Sequence, residues 1–175
     1  METYAAYKIC IFGEGGVGKT SLTKRYLTGL FDDATKMTMG ASIFVKYVDL
    51  QGKRIALQLW DFGGEEQYRF LLPVYAHGSA AAIFMYDITR YVTLQKADNW
   101  VSIFKEGLDD KDIPILLVGA KLDLESNRGT PKSDSEVFSK DHGFFNYIEC
   151  SAKTGENIEE IFQLIINEIF KRAGI

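Results

Sequence analysis

With 175 residues, 46% of them hydrophobic, the chain has enough apolar material to build one core and too much for a disordered segment. A net charge of −4 gives no electrostatic reason to expect a nucleic-acid partner, and no stretch approaches the roughly 18 consecutive apolar residues of a membrane span. The N-terminal METYAAYK lacks both the basic start and the cleavage pattern of a secretory signal.

In chain order, YKICIFG (7–13) is a short apolar run closed by glycine and reads as a buried strand. From Gly18 to about Gly29, Leu22, Tyr26 and Leu27 fall at helical spacing, and Gly29 suits a helix stop. SIFVKYVDL and KRIALQLWD flank Gln51-Gly52 and predict two antiparallel strands joined by a tight turn. AAAIFMYDI (80–88) is continuously apolar, the mark of a central strand covered on both faces. A helix is expected from about Thr93 to Leu108, a strand at IPILLVG (113–119), and a polar helix from about Lys132 to Asp141. FFNYIEC predicts a last strand. Ile158, Ile161, Phe162, Ile165 and Ile169 then predict a helix from about Asn157 to Arg172.

Strands alternating with helices imply an α/β fold: a mostly parallel six-stranded sheet, one antiparallel edge strand, and helices on both faces. No repeat or linker interrupts residues 1–175, so one domain is expected. Ligands of such sheets bind outside the carboxyl ends of the strands. Cys10 and Cys150 lie in apolar runs and read as buried small hydrophobes in a reducing cytosol, and His77 and His142 have no ligand-spaced partners.

The chemistry begins directly after the first strand. GEGGVGKT (13–20) satisfies G-x-x-x-x-G-K-[ST], in which backbone N–H groups curl around phosphate and a helix start adds its positive dipole end. Lys19 supplies a point charge for the β- and γ-phosphates, and the Thr20 hydroxyl suits Mg²⁺. Asp61, at the end of ALQLW, opens D-x-x-G; its carboxylate suits the metal shell, and Gly64 leaves a backbone N–H free to approach a γ-phosphate.

GEGGVGKTS, a lone Thr38, WDFGGEE, YDIT, LLVGAKLDL and ECSAK stand in one order and at intervals that resemble the Ras-superfamily small GTPases, from about Tyr7 to Arg172. TMGASIF and LPVYAHGSAAAIFMYDIT are nearer to the Rab branch, while the double glycine of DFGG is Arf- and Roc-like. The resemblance implies a P-loop G domain binding GTP and GDP with Mg²⁺. Its nucleotide-binding set would be Gly13, Glu14, Gly15, Gly16, Val17, Gly18, Lys19, Thr20 and Ser21, with Phe31, Thr38 and Gly64, and on the base side Lys121, Asp123, Leu124, Ser151, Ala152 and Lys153. Thr20, Thr38 and Asp61 would hold the metal, and Glu65, Lys19, Thr38 and Gly64 would serve catalysis. Asp123 would accept from guanine N1 and N2, Lys121 would lie over the base, Ser151 would steady Asp123, and the Ala152 N–H would bind the guanine oxygen. Phe31 would pack on the base edge; ordinary core packing is the other reading.

Departures from the family pattern carry their own expectations. Ala120 replaces the asparagine of N-K-x-D, so a buried amide worth about 0.5–1.5 kcal/mol per hydrogen bond is missing and nucleotide retention should weaken. Thr35 replaces an aromatic lid residue, and KRAGI carries no prenylation cysteine. Glu65 stands where a glutamine usually orients the attacking water. An ionised carboxylate accepts from water but cannot donate to phosphate, and a like-charge pair about 5 Å apart costs roughly 3 kcal/mol at an effective dielectric of 20. Either this holds hydrolysis down, or Glu65 points to solvent and is a bystander. A binding module with negligible hydrolysis is the alternative reading of the whole chain. Effector, exchange-factor and activator proteins would meet switch I (about 31–42), switch II (about 61–75) and an Ile43/Trp60/Tyr75 patch, in the cytoplasm or peripherally at a membrane. The acidic run at Asp109, Asp110 and Asp112 reads as a solvated loop.

Overall fold

A computed structural model describes residues 3–33 and 38–175. Its elements are β1 (Thr3–Phe12), α1 (Lys19–Thr28), β2 (Ala41–Leu50), β3 (Lys53–Phe62), α2 (Leu72–Ala76), β4 (Ala81–Asp87), α3 (Tyr91–Gln95), α4 (Ala97–Lys105), β5 (Ile115–Ala120), α5 (Lys132–Asp141), β6 (Asn146–Glu149) and α6 (Ile158–Ala173). Short 3₁₀ stretches cover Glu66–Leu71 and Leu122–Asn127. Among the described residues six strands form one sheet in the order β2-β3-β1-β4-β5-β6, parallel throughout except for edge strand β2, which is antiparallel to β3.

Strand alternation divides the interior into two cores. Ile9, Ile11, Ile83, Met85, Leu116 and Val118 face one side, where α1 and α6 bring Leu22, Tyr26, Ile161, Phe162 and Ile165. Their neighbours Cys10, Phe12, Phe84, Tyr86 and Leu117 face the other, against Leu72, Leu94, Trp100 and Phe104. Double coverage is why β4 reads as an unbroken apolar run: all seven of its residues are buried. Tyr26 stacks on Phe162 at 3.7 Å between ring centroids, pinning α1 to α6. Phe12 stacks on Phe104 at 4.6 Å and 6°, locking α4 under the strand that leads into the phosphate loop. Both cysteines are free and buried.

The hairpin turn has Gln51 at φ 50° and Gly52 at φ 75°, the pair of positive angles that lets a two-residue loop follow the strand twist. α5 spans the predicted residues. The helix expected over 93–108 is instead two, joined at Lys96 (φ −81°, ψ 0°) and followed by a tightened turn with Gly107 N–H donating to Phe104 O and Leu108 N–H to Lys105 O. Apolar spacing runs straight through this junction, because Leu94, Ala97, Trp100 and Phe104 are all buried, so periodicity alone does not register it. β1 begins earlier than predicted because residues 3–6 extend its pairing with β3, and β6 is shorter at both ends. Thr35 lies outside the described residues, as do the other residues of switch I from 34 to 37.

Truncating the stacked Phe104 removes a fully buried ring beneath the phosphate loop. Phe104→Ala should cost about 3–5 kcal/mol in urea unfolding, the usual range for a buried aromatic. A loss under 1 kcal/mol would show that the α4 packing is not what supports the loop.

Candidate nucleotide site

Because β1, β3, β4, β5 and β6 are parallel, the segments following them meet at one edge, and the antiparallel β2 brings the residues preceding it to the same edge. Gly18, at φ 104°, makes the turn from loop into α1, a conformation that an L side chain rarely adopts. Lys19 is only 6% exposed; its ammonium donates to Gly13 O at 2.9 Å and to Glu14 O at 2.7 Å. Burial pushes its pKa down to about 8, against the opposing charges of Asp61, Glu14 and Glu65.

Thr20, Thr38 and Asp61 come together. Thr20 Oγ1 donates to Asp61 Oδ2 at 2.6 Å and lies 2.6 Å from Thr38 Oγ1. A hydroxyl has one proton, so at the second contact Thr38 donates to Thr20. Asp61 is fully buried; burial raises its pKa, opposed by the Thr20 hydrogen bond and the Lys19 charge. Its Oδ1 has no hydrogen-bond partner among the described residues. An orphaned buried carboxylate oxygen beside two hydroxyls is an all-oxygen donor set that fits a hard cation such as Mg²⁺.

Switch II lies directly on the loop. Gly63 N–H donates to Gly40 O at 2.6 Å. A β-carbon on Gly64 would collide with backbone atoms of Gly13, Glu14 and Gly15, so only glycine permits this approach. The half-buried Glu65 is turned inward: its Oε1 lies 3.0 Å from where a β-carbon on Gly15 would stand.

On the other side of the loop is a cavity of about 330 Å³, lined by Gly16, Val17, Gly18 and Ser21, by Phe31, and by Lys121, Asp123, Leu124, Ala152 and Lys153. The fully buried Ser151 donates from Oγ to Asp123 Oδ1 at 2.7 Å. Ala120, 3% exposed, also borders it, as do Met85 and Cys150, which the sequence reading left out.

Other contacts were equally invisible in the sequence. Asp87, 1% exposed, accepts from Thr89 and pairs with Lys121 Nζ at 2.9 Å and Arg90 Nε at 3.6 Å. Burial opposes its charge, but the hydrogen bonds from Thr89 and Lys121 hold it below the usual carboxylate range. Arg90 reaches on to Gly15 O at 3.1 Å. The only local signal for this bridge is the grouping of Asp87, Thr89 and Arg90 at the end of the buried strand.

A family model described as Ras family matches residues 8–171. The chain is 40% identical over 175 residues to "Ras-related protein Rab-21" of Dictyostelium discoideum, across 99% of this chain and 82% of that protein. The chain belongs to the Ras family. It is a Rab-like GTP-binding switch and a GTPase.

In this small GTPase the ECSAK loop is braced from behind. Arg128 donates to Glu149 through both terminal nitrogens, at 2.6 and 2.9 Å, and Tyr147 OH donates to the same carboxylate at 2.6 Å. Tyr147 OH also meets Tyr86 OH at 2.7 Å, and Tyr86 meets Ser135 Oγ at 2.6 Å. Glu149 is two residues before Ser151, so the network fixes the strand end that carries the ECSAK loop. Burial works against the Glu149 charge, but the hydrogen bonds from Arg128 and Tyr147 outweigh it and hold the carboxyl below its usual range. The stabilisation is therefore complete above the unfolded-state pKa of about 4.3 and is lost as pH falls through the lower folded value. Glu149→Gln should destabilise the GTPase at pH 7 by about 1.5–3 kcal/mol and flatten the acid limb of its stability curve. An unchanged acid limb in urea titrations from pH 7 to pH 3 would show that this carboxylate is not linked to folding.

Proposed function

We propose that this Rab-like GTPase turns GTP over slowly on its own because Glu65 occupies the position facing the γ-phosphate. Gly13–Ser21 would cradle the phosphates, with Lys19 neutralising the β- and γ-oxygens. Thr20, Thr38 and Asp61 would hold Mg²⁺, which supplies positive charge beside the phosphates when bound. Gly64 would offer its backbone N–H to the γ-phosphate, and closure of Thr38 and Gly64 would mark the triphosphate state for partners. Asp123, steadied by Ser151, would select guanine, with Lys121, Phe31, Leu124, Ala152 and Lys153 enclosing the base.

Water attacks the γ-phosphorus, and the bond to the β–γ bridging oxygen breaks as GDP leaves. The observation carrying the slow-turnover reading is the inward Glu65, with Oε1 against Gly15 instead of out in solvent. From there a carboxylate can accept from the attacking water but adds negative charge beside a phosphoryl group that already carries it.

Effector, exchange-factor and activator proteins would read the switches and the adjoining patch. Ile43 is 54% exposed, while Trp60 is half-buried, its ring 5.7 Å from Tyr75 and under Lys8 Nζ at 3.8 Å. Among the described residues no helix is long and apolar enough to cross a membrane. A single G domain over 1–175 working in the cytoplasm, peripheral to membranes, completes the proposal.

Single-turnover cleavage of γ-labelled GTP tests the central point. Glu65→Gln should raise the rate by about ten- to a hundredfold, the range of a repulsion of roughly 1.4–3 kcal/mol. Equal rates in the two forms would overturn the reading of Glu65, and no cleavage in either would overturn slow intrinsic turnover altogether. Separately, Ala120→Asn should slow release of a fluorescent GDP by about three- to tenfold, the worth of one restored hydrogen bond. An off-rate that does not fall would show that Ala120 does not weaken retention.

A further inference from the structure

Glu14 is a phosphate-loop residue whose two ends do different things. Its main-chain carbonyl accepts from Lys19 Nζ at 2.7 Å. Its side chain, 17% exposed, turns the other way, and three donors converge on its Oε1: Trp100 Nε1 at 2.9 Å, Arg69 NH2 at 3.3 Å and Lys96 Nζ at 3.5 Å. These come from α4, from switch II and from the junction between α3 and α4. Arg69 is held twice more, by NH1 donating to Asn99 Oδ1 at 2.8 Å and by its guanidinium lying 4.4 Å over the Trp100 ring. A half-exposed ion pair between flexible side chains counts for little. Here the carboxylate is mostly buried, the indole is fully buried in the core, and the guanidinium is fixed in plane and in direction.

The anchored arginine lies four residues beyond Glu65, in the 66–71 turn, and that turn has no fully buried side chain, only the half-buried Tyr68 and Leu71 at the edge of the core. Its position therefore depends on polar contacts such as those of Arg69 together with that edge packing. We propose that Glu14 is a positioning residue for GTP hydrolysis: by docking Arg69 on Trp100 it fixes the 66–71 turn, and so sets residue 65 against Gly15. Glu14 touches no reacting atom in this role; it acts through switch II. The proposal rests on the reading that residue 65 faces the γ-phosphate.

That reading gives a signature a purely structural carboxylate lacks. With Glu65 in place, loosening the clamp lets a repelling group retreat, so Glu14→Gln should raise single-turnover hydrolysis by about two- to fivefold. In the Glu65→Gln background the same substitution releases a helpful amide, and the rate should fall about tenfold. The Trp100 indole N–H resonance in ¹⁵N–¹H spectra should move in Glu14→Gln and in Arg69→Gln, while the Trp60 indole resonance stays. A fall or no change in both backgrounds, with an unmoved Trp100 resonance, would overturn the clamp. Should Glu65→Gln by itself leave the rate unchanged, the reading of Glu65 fails, and the clamp is then judged on Glu14→Gln and Arg69→Gln together. A double variant no different from the more affected single supports it, and additive effects overturn it. Arg69→Gln, which leaves the phosphate loop intact, keeps the test open if Glu14→Gln folds poorly.

Discussion

The buried ammonium of Lys19 organises this site. A cation only 6% exposed has to be compensated, and the surroundings supply both kinds of compensation: carbonyls of Gly13 and Glu14 in contact, and the charges of Asp61, Glu14 and Glu65 around it. Each of those carboxylates then has a second task. Asp61 presents its unpartnered oxygen beside Thr20 and Thr38, and Glu14 reaches away to Arg69 and Trp100. Glu65 has the more ambiguous position. The field that favours its inward turn is the field that would favour a γ-phosphate, so under the proposed reading the two anions would compete for one cation.

Supporting that cation requires a loop that does not move, and the two cores provide it from opposite faces of β1. Ile9 and Ile11 tie the strand to α1 and α6, while Cys10 and Phe12 tie it to α4. The strand therefore enters the loop with both faces packed. On the side of the Asp123 cavity, stiffness is polar: Arg128, Glu149, Tyr147, Tyr86 and Ser135 form a connected chain behind the ECSAK loop. Asp87 joins that side to the phosphate loop, through Lys121 in one direction and through Arg90 to Gly15 O in the other. These contacts do not replace the amide missing at Ala120, but they hold the neighbouring loops without it.

The features legible in the sequence are those whose physics is local. The phosphate loop, the D-x-x-G turn and the Gln51-Gly52 hairpin each occupy a few consecutive residues, and the mostly parallel sheet follows from alternation of apolar runs with helical patterns, whereas the strand order is seen only in the fold. The Glu14–Trp100 bond joins residues 86 apart, and Arg128–Glu149 spans 21. Nothing in the spacing around position 14 distinguishes a carboxylate facing phosphate from one facing α4. The junction at Lys96 was hidden for a related reason: one residue at ψ 0° leaves the buried stripe intact while turning an ammonium toward Glu14. Glu65 and Ala120 were visible at once because each breaks a short motif, though only the fold tells which way Glu65 points.

The switch II turn differs from everything around it in how it is held. Residues 66–71 bury no side chain completely, Tyr68 and Leu71 lying half-buried at the core edge, and Phe70 and the neighbouring Val74 in α2 are 74% and 71% exposed. Apolar packing thus fixes the phosphate loop, while the piece of chain that carries residue 65 is held by partial packing of Tyr68 and Leu71, by hydrogen bonds from Arg69 to Asn99 and Glu14, and by the close approach of Gly64. Such polar contacts are worth a few kcal/mol at most and are direction-dependent, so they can be exchanged where a packed core cannot. A protein that covers Phe70 and Val74 bears on the same turn that Glu14 holds through Arg69. If residue 65 acts as proposed, rearranging Arg69 would shift it without disturbing the phosphate loop, and control of cleavage would then be separate from control of nucleotide retention.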